Sequence, residues 1–171
     1  MDEKLYRKAI SLLDFGPLGR MDCGRLCQKR CCSGTSEDGM FLLPGEEAFF
    51  QGKSWCKLEK LIEPLTGEHL FFLTCSGTCP REERPLACRT FPLLPVLTDA
   101  GELELQLDSM GLFLCPLVQA DNIELLHPAF RRRAMRAWKL LLGDPLLYEL
   151  VRKASAAKQK QEPWEKLCKM R

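Results

Sequence analysis

Cysteine is the residue type in this chain whose number and spacing point most directly to chemistry. Of the ten cysteines, four lie between residues 23 and 32, and another two are separated by three residues further along. Thiolate is a preferred protein ligand of zinc and of iron–sulfur clusters, and closely spaced thiols bring several donors to one centre. We therefore predict that the chain binds metal through eight cysteines: Cys23, Cys27, Cys31, Cys32, Cys75, Cys79, Cys88 and Cys115.

The spacing of these cysteines leaves the number of sites open. Three pairs each have three intervening residues: Cys23 and Cys27, Cys27 and Cys31, and Cys75 and Cys79. The members of such a pair share one face if their segment is helical. The adjacent Cys31 and Cys32 would point apart and suit two metals or a bridge between them. Two sites, one polynuclear site, or four ligands with four packed thiols all fit the pattern, and the donors suit zinc or an iron–sulfur cluster.

Other roles for the cysteines depend on the cellular compartment. A secreted disulfide scaffold needs an export signal, but the chain opens Met-Asp-Glu-Lys and its longest apolar runs, such as residues 70–73, are too short for a signal segment or a membrane span. We therefore expect a cytoplasmic protein with reduced thiols that does not associate with membranes. Cysteines that are simply small buried hydrophobic residues, and cysteines used in redox exchange, are the remaining alternatives.

Three arginines follow the second cysteine pair within ten residues. Guanidinium groups that donate to thiolate sulfur, or to carbonyls near it, are typical surroundings of a site with several thiolates. We assign this role to Arg84 and Arg89, which flank the turn leading into Cys88. The alternative is that these arginines pair with the neighbouring carboxylates of Glu82 and Glu83.

Two stretches of the sequence resemble a known family. Residues 23–32, and above all residues 84–92 (RPLACRTFP), resemble the YkgJ-type cysteine-cluster proteins, which are described as a zinc- or iron-chelating domain. The family pattern is CxxCxxCC, then a cysteine shortly before RPxxCRxFP, then a late cysteine. Cys79 matches the cysteine before RPxxCRxFP, and Cys115 matches the late cysteine. The resemblance covers about residues 20–118. Here the opening gaps are three residues and three residues, which departs from the family spacing and leaves the sharing of the early ligands open.

The resemblance implies a protein that binds a metal or an iron–sulfur cluster and has no assigned reaction. We therefore infer no catalytic activity, and an iron–sulfur redox protein or electron carrier is the alternative. Cys56 could match a mid-chain cysteine of the family, but Cys75 is the better ligand because it is paired with Cys79. Cys168 lies in the C-terminal tail and is not assigned as a ligand.

Charge is distributed unevenly along the chain. Residues 1–127 carry 13 Lys and Arg against 19 Asp and Glu, whereas residues 128–171 carry 12 against 4. The basic segment could complement the acidic part within the fold, or it could bind nucleic acid through its densest patch at residues 131–139. A charged run is usually the solvated face of a helix, so nucleic-acid binding is the second, weaker alternative.

Hydrophobic periodicity and turn residues predict the secondary structure. The predicted elements are a helix at 3–15, a loop with one helical turn at 19–39, a helix from Pro44 past Phe50, a strand at 70–74, a hairpin at 93–98 and 102–108, a helix at 128–142, and a helix from Pro145. We predict a single α+β domain over residues 1–171. Its irregular cysteine-rich metal-binding core with short strands, at 20–118, is closed by the N-terminal helix and by a helical part at 119–157, and residues 158–171 form a frayed tail.

Overall fold

The computed structural model describes residues 1–32, 39–76 and 79–169, with the side chains of Cys32 and of residues 161–169 outside the description. The helices are α1 (Glu3–Leu12), α2 (Gly24–Cys27), α3 (Leu86–Thr90), α4 (Pro116–Gln119), α5 (Pro128–Leu141) and α6 (Pro145–Lys169). The strands are β1 (Gly39–Phe41), β2 (Cys56–Ile62), β3 (His69–Cys75), β4 (Leu93–Leu97) and β5 (Leu103–Leu107). Small sheets and flanking helices make this an α+β fold, as predicted. Among the helices of these ranges, none combines the length and apolar character needed to cross a membrane.

Local sequence signals set the starts of the last two helices. The ring nitrogen Nδ1 of His127 accepts the N–H of Ala129 at 3.1 Å where α5 begins. The carboxylate of Asp144 accepts the N–H of Leu146 at 2.9 Å where α6 begins. Such side-chain caps satisfy N–H groups that have no partner inside the helix. The backbone of α6 continues as helix to Lys169, past the start of the predicted frayed tail.

The main core is built around α5. Among the described residues, seventeen buried ones form this core, and they come from α1, α3 to α6, the β4–β5 hairpin and nearby loops. The buried side chains of α5 itself are Phe130, Ala134, Ala137, Trp138 and Leu141. One hydroxyl joins α6 to the hairpin, because Ser155 Oγ accepts the N–H of Leu97 at 2.9 Å and donates to the carbonyl of Val151 at 2.7 Å. We call the elements of this core (α1, α3 to α6, β4 and β5) the helical body.

The other sheet is antiparallel, with the strand order β1-β3-β2. Among the described residues, its core contains three buried ones, Leu42, Phe50 and Leu73. Strand β2 does not feature among the predicted elements, and the predicted helix from Pro44 past Phe50 is in fact a single 3₁₀ turn, Glu46–Phe49. The prediction of a longer helix is wrong because Gly45 adopts a left-handed conformation (φ 85°) and the side chain of Glu46 turns into the protein.

Glu46 joins this sheet to the helical body. Its fully buried carboxylate accepts the N–H of Leu43 at 3.0 Å and the N–H of Leu86, the first residue of α3, at 2.8 Å. Burial raises the pKa of Glu46 to about 7, although the two N–H donors act in the opposite direction. The ring of Phe49 also stacks on Tyr6 of α1, with the centroids 3.9 Å apart.

Candidate metal centre

Four of the eight predicted ligands line one small cavity. The cavity has a volume of about 20 Å³, and it is lined by Cys23, Cys27, Cys31 and Cys115. We call these four residues the cavity cysteines. The rest of the wall is apolar: Pro17, Leu26, Phe91, Pro92, Leu114, Pro116 and Leu117. The structure therefore brings the late cysteine, far away in sequence, to the opening group.

A single helical turn positions the first two cavity cysteines. Cys23 precedes α2 and Cys27 is its last residue, so the two lie about one turn apart on one side. The carboxylate of Asp22 accepts the N–H of Gly24 at 3.1 Å, and the left-handed Gln28 (φ 54°) ends the turn. Cys31 follows in the 3₁₀ turn Arg30–Cys32. The helical turn predicted within residues 19–39 is thus confirmed.

Cys115 is held against the helical body at the start of α4. Its N–H donates to the carbonyl of Gly111 at 2.7 Å, and it is only 9% exposed. A Cβ on Gly111 would lie 2.7 Å from a methyl carbon of Val118. A larger residue at this position would force Val118 or the ring of Phe91, 3.1 Å from the same point, to shift.

The electrostatics of the cavity disfavour several thiolates in the absence of a cation. Burial raises the pKa of Cys23, and the charges of Asp22, Cys115 and Cys27 raise it further. Arg81 acts in the opposite direction, with a guanidinium nitrogen 4.0 Å from the carboxylate of Asp22. A bound cation would relieve the repulsion among the sulfurs and favour their deprotonated form.

The cavity cysteines surround a space without converging on a point. Within the described part of the chain, no group of three or more His, Cys, Asp or Glu side chains is arranged to hold a metal ion. The side chain of Cys32, a predicted ligand, lies outside the described residues. A metal would have to draw the thiols inward, which the short turns carrying Cys23, Cys27 and Cys31 permit more readily than a long helix would.

Cys75 and Cys79 belong to a different part of the molecule. Cys75 ends β3, and its register partner on β2 is Cys56, which is not among the ligands predicted from the sequence. Burial raises the pKa of Cys56, and the charges of Cys75, Glu83 and Cys79 raise it further. We call Cys56, Cys75 and Cys79 the sheet-end cysteines. Recognition of β2 would have placed Cys56 here, because a hairpin turn near Gly67 sets Cys56 opposite Cys75.

Cys88 lies in a third environment. It is carried by α3, and its Sγ is 3.1 Å from the Sδ of Met40 on β1. The same sequence stretch contributes Phe91 and Pro92 to the cavity wall. The eight predicted ligands are therefore distributed over the cavity, the sheet end and α3, with Cys32 undescribed at its side chain.

Arg89 stabilises the turn before α3. Its Nε donates to the carbonyl of Arg84 at 2.8 Å, and its Nη2 donates to the carbonyl of Glu82 at 2.5 Å. The carboxylate of Glu83 instead accepts from Lys53 and from the indole of Trp55, each at 2.7 Å. Arg89 therefore donates to carbonyls of its own turn and not to the carboxylate of Glu82 or Glu83. The predicted roles of Arg84 and Arg89 beside metal-bound thiolates stay predictions.

The basic C-terminal part complements the acidic part of the chain. Arg133 pairs with Asp14, Arg131 with Glu124, and Lys153 with Glu68 at 2.5 Å. These pairs connect α5 and α6 to residues of the acidic segment. The remaining basic side chains of α5 border an open groove of about 510 Å³, lined by Pro128, Arg131, Arg132, Met135, Arg136 and Lys139.

Comparison with known proteins adds no family to these observations. No family model, curated protein or solved structure matches the chain. The resemblance to YkgJ-type proteins stays a prediction from the sequence.

Proposed function

We propose that this protein binds one metal ion through the cavity cysteines. The observation that carries the proposal is that four cysteines from separate segments line one small, otherwise apolar cavity. Four thiolates form a complete tetrahedral shell for zinc, and an apolar wall excludes competing water. The reduced thiols that this requires fit the cytoplasmic location expected from the sequence.

The size of the cavity favours a single ion over an iron–sulfur cluster. A cavity needs roughly 10–15 Å³ to hold one water molecule. This cavity, at about 20 Å³, therefore has room for one atom-sized occupant. A cubane cluster would require the walls to separate. We therefore place zinc first and an iron–sulfur centre, with its electron-transfer role, second. Bound there, the metal would act as a crosslink between α2 and the start of α4.

Metal analysis of matched cysteine variants tests this proposal. After anaerobic purification, the protein should contain about one zinc per chain and show no visible absorption. Cys27→Ser and Cys115→Ser should each lose this metal, whereas Cys56→Ser and Cys168→Ser should retain it. Circular dichroism of each variant checks that the helices are intact.

The alternatives give different results in the same experiment. Iron, sulfide and a broad visible absorption in the purified protein would show an iron–sulfur centre instead of zinc. Metal that persists in both cavity variants but disappears in Cys75→Ser and Cys79→Ser would move the site to the sheet end and overturn the proposal. Chelation should accelerate amide hydrogen exchange at residues 20–32 and 109–119 most, because the metal joins these segments.

A further inference from the structure

Cys56 and Cys75 are direct neighbours across the β2–β3 ladder. Next to this pair, the N–H of Ser76 donates to the carbonyl of Trp55 at 3.1 Å, and at the other end of the ladder the N–H of Glu63 donates to the carbonyl of Glu68 at 2.8 Å. Hydrogen-bonded and non-hydrogen-bonded pairs alternate along an antiparallel ladder. Cys56 and Cys75 therefore form a non-hydrogen-bonded pair, in which the two residues are closest.

The distance in such a pair suits a disulfide. The Cα atoms of a non-hydrogen-bonded pair are about 4.5 Å apart. Disulfides span Cα separations of about 4.4–6.8 Å. A bond between the two sulfurs therefore requires no change in the register of β2 and β3.

Both side chains lie on the same face of the sheet. Residues directly opposite each other on paired strands project to one side, and both cysteines pack against the small core of Leu42, Phe50 and Leu73. The Sγ of Cys56 is 3.9 Å from the carbonyl oxygen of Phe50, to which it donates. Both residues are half-buried and carry free thiols. The thiols are thus adjacent, reduced and within reach of a small reagent.

We propose that Cys56 and Cys75 form a reversible oxidation site that closes to a cross-strand disulfide. The oxidant is a low-molecular-weight disulfide. One cysteine thiolate attacks it, forms a mixed disulfide and releases one thiol of the reagent; the other cysteine thiolate then attacks the mixed disulfide and releases the second. Two protein thiols are oxidised, one reagent disulfide is reduced to two thiols, and an excess of the reduced reagent reverses the reaction.

This site is separate from the cavity cysteines, so its chemistry does not depend on the proposed metal. The disulfide would fix the end of the sheet from which the chain continues to Cys79. Cys79 lies close enough to Cys56 for its charge to raise the pKa of Cys56. Cys79 is therefore the residue that competes with Cys75 for the bond to Cys56. Any test has to distinguish Cys75 from Cys79.

The purified chain of residues 1–171 is treated with oxidised glutathione in two states, loaded with metal and after chelation. The remaining thiols are then alkylated, and the peptides are mapped without reduction. We expect a crosslink between tryptic peptides 54–57 and 61–81 in both metal states. Peptide 61–81 contains both Cys75 and Cys79, so variants decide between them. Cys79→Ser should keep the crosslink, and Cys75→Ser should lose it.

Further variants complete the test. In Cys56→Ser, Cys75 should stop at a mixed disulfide with glutathione, and Cys168→Ser, which changes a cysteine outside both proposed sites, serves as the matched control that keeps the crosslink. Three outcomes overturn the proposal: alkylated Cys56 and Cys75 in both metal states, a crosslink that depends on Cys79 rather than Cys75, or protection of both thiols by metal that disappears on chelation. The last outcome would make the sheet end a metal site.

Discussion

The helical body and the three-stranded sheet differ in how much apolar surface supports them. The main core of the body has seventeen buried residues, whereas the core of the sheet has three. The sheet depends instead on contacts with the body, among them the buried carboxylate of Glu46, the stacking of Tyr6 on Phe49, and the ion pair between Lys153 and Glu68. The difference indicates that the body supplies the stability and the sheet is held to it at a few points.

The two regions also divide the cysteines. Cys115 belongs to the main core and Cys23 packs against it, whereas Cys56 and Cys75 pack against the core of the sheet. The proposed metal site and the proposed oxidation site therefore belong to different regions, and we expect them to act independently. The following predictions test this division, starting from the largest expected effect.

Truncation in each core should have unequal consequences. Phe130→Ala removes a fully buried ring from α5 and should lower the free energy of unfolding of the whole protein by about 3–5 kcal/mol. Leu73→Ala in the sheet should cost about 2–3 kcal/mol and act mainly on the hydrogen exchange of β1 to β3. Urea denaturation measures the change in the free energy of unfolding, and hydrogen exchange shows where it acts. Leu125→Ala is the control, because Leu125 is half-exposed. Equal global losses from the two core variants would show that sheet and body unfold as one unit.

The connection through Glu46 should depend on pH. Its folded-state pKa of about 7 lies above the usual value, so the folded protein binds this proton more strongly than the unfolded chain does. The stability that this group contributes is therefore present at low pH and is lost as the pH rises through 7. Between pH 5 and pH 8 the free energy of unfolding of the wild type should fall by about 2 kcal/mol relative to Glu46→Gln, whose side chain does not titrate. Parallel pH profiles for the two proteins would contradict this.

The smallest effect is expected at the turn before α3. Arg89→Ala removes the charged donor from the carbonyls of Glu82 and Arg84 and should cost about 1.5 kcal/mol in the free energy of unfolding. Arg89→Lys should recover only part of this, because an ammonium group does not reproduce the planar fork. Arg81→Ala is the control, since its guanidinium is exposed and 4.0 Å from Asp22. If Arg81→Ala lowers the free energy of unfolding as much as Arg89→Ala does, the hydrogen bonds of Arg89 do not specifically stabilise this turn.

Elements with local signals could be predicted from the sequence. The alternation of Leu103, Leu105 and Leu107 with polar residues predicts β5, Pro128 in a first helical turn predicts the start of α5, and Asp144 as a cap predicts the start of α6; all three predictions are confirmed. Strand β2 was missed because its charged side chains conceal the alternation and its pairing partner, β3, lies beyond the hairpin turn.

The candidate site was predictable in its residue types but not in its grouping. The spacing of Cys23 and Cys27 is a local signal, and the structure indeed places them on one turn. That Cys115 joins them depends on tertiary packing, which no spacing rule contains. The pairing of Cys75 with Cys56 follows from the register of the β2–β3 hairpin and depends only on recognising β2. The buried position of Glu46 is a property of tertiary packing as well, since two adjacent glutamates otherwise indicate an exposed helix start.

The separation of body and sheet also gives each region its own chromophore. Trp138 is 3% exposed in the main core, whereas Trp55 lies beside Cys56 with its indole N–H donating to Glu83. Sulfur near an indole ring quenches its fluorescence, and the quenching differs between a thiol and a disulfide. With Trp164 replaced by phenylalanine, the emission of Trp55 would follow the oxidation state of the sheet end, and the emission of Trp138 would follow the packing of the body.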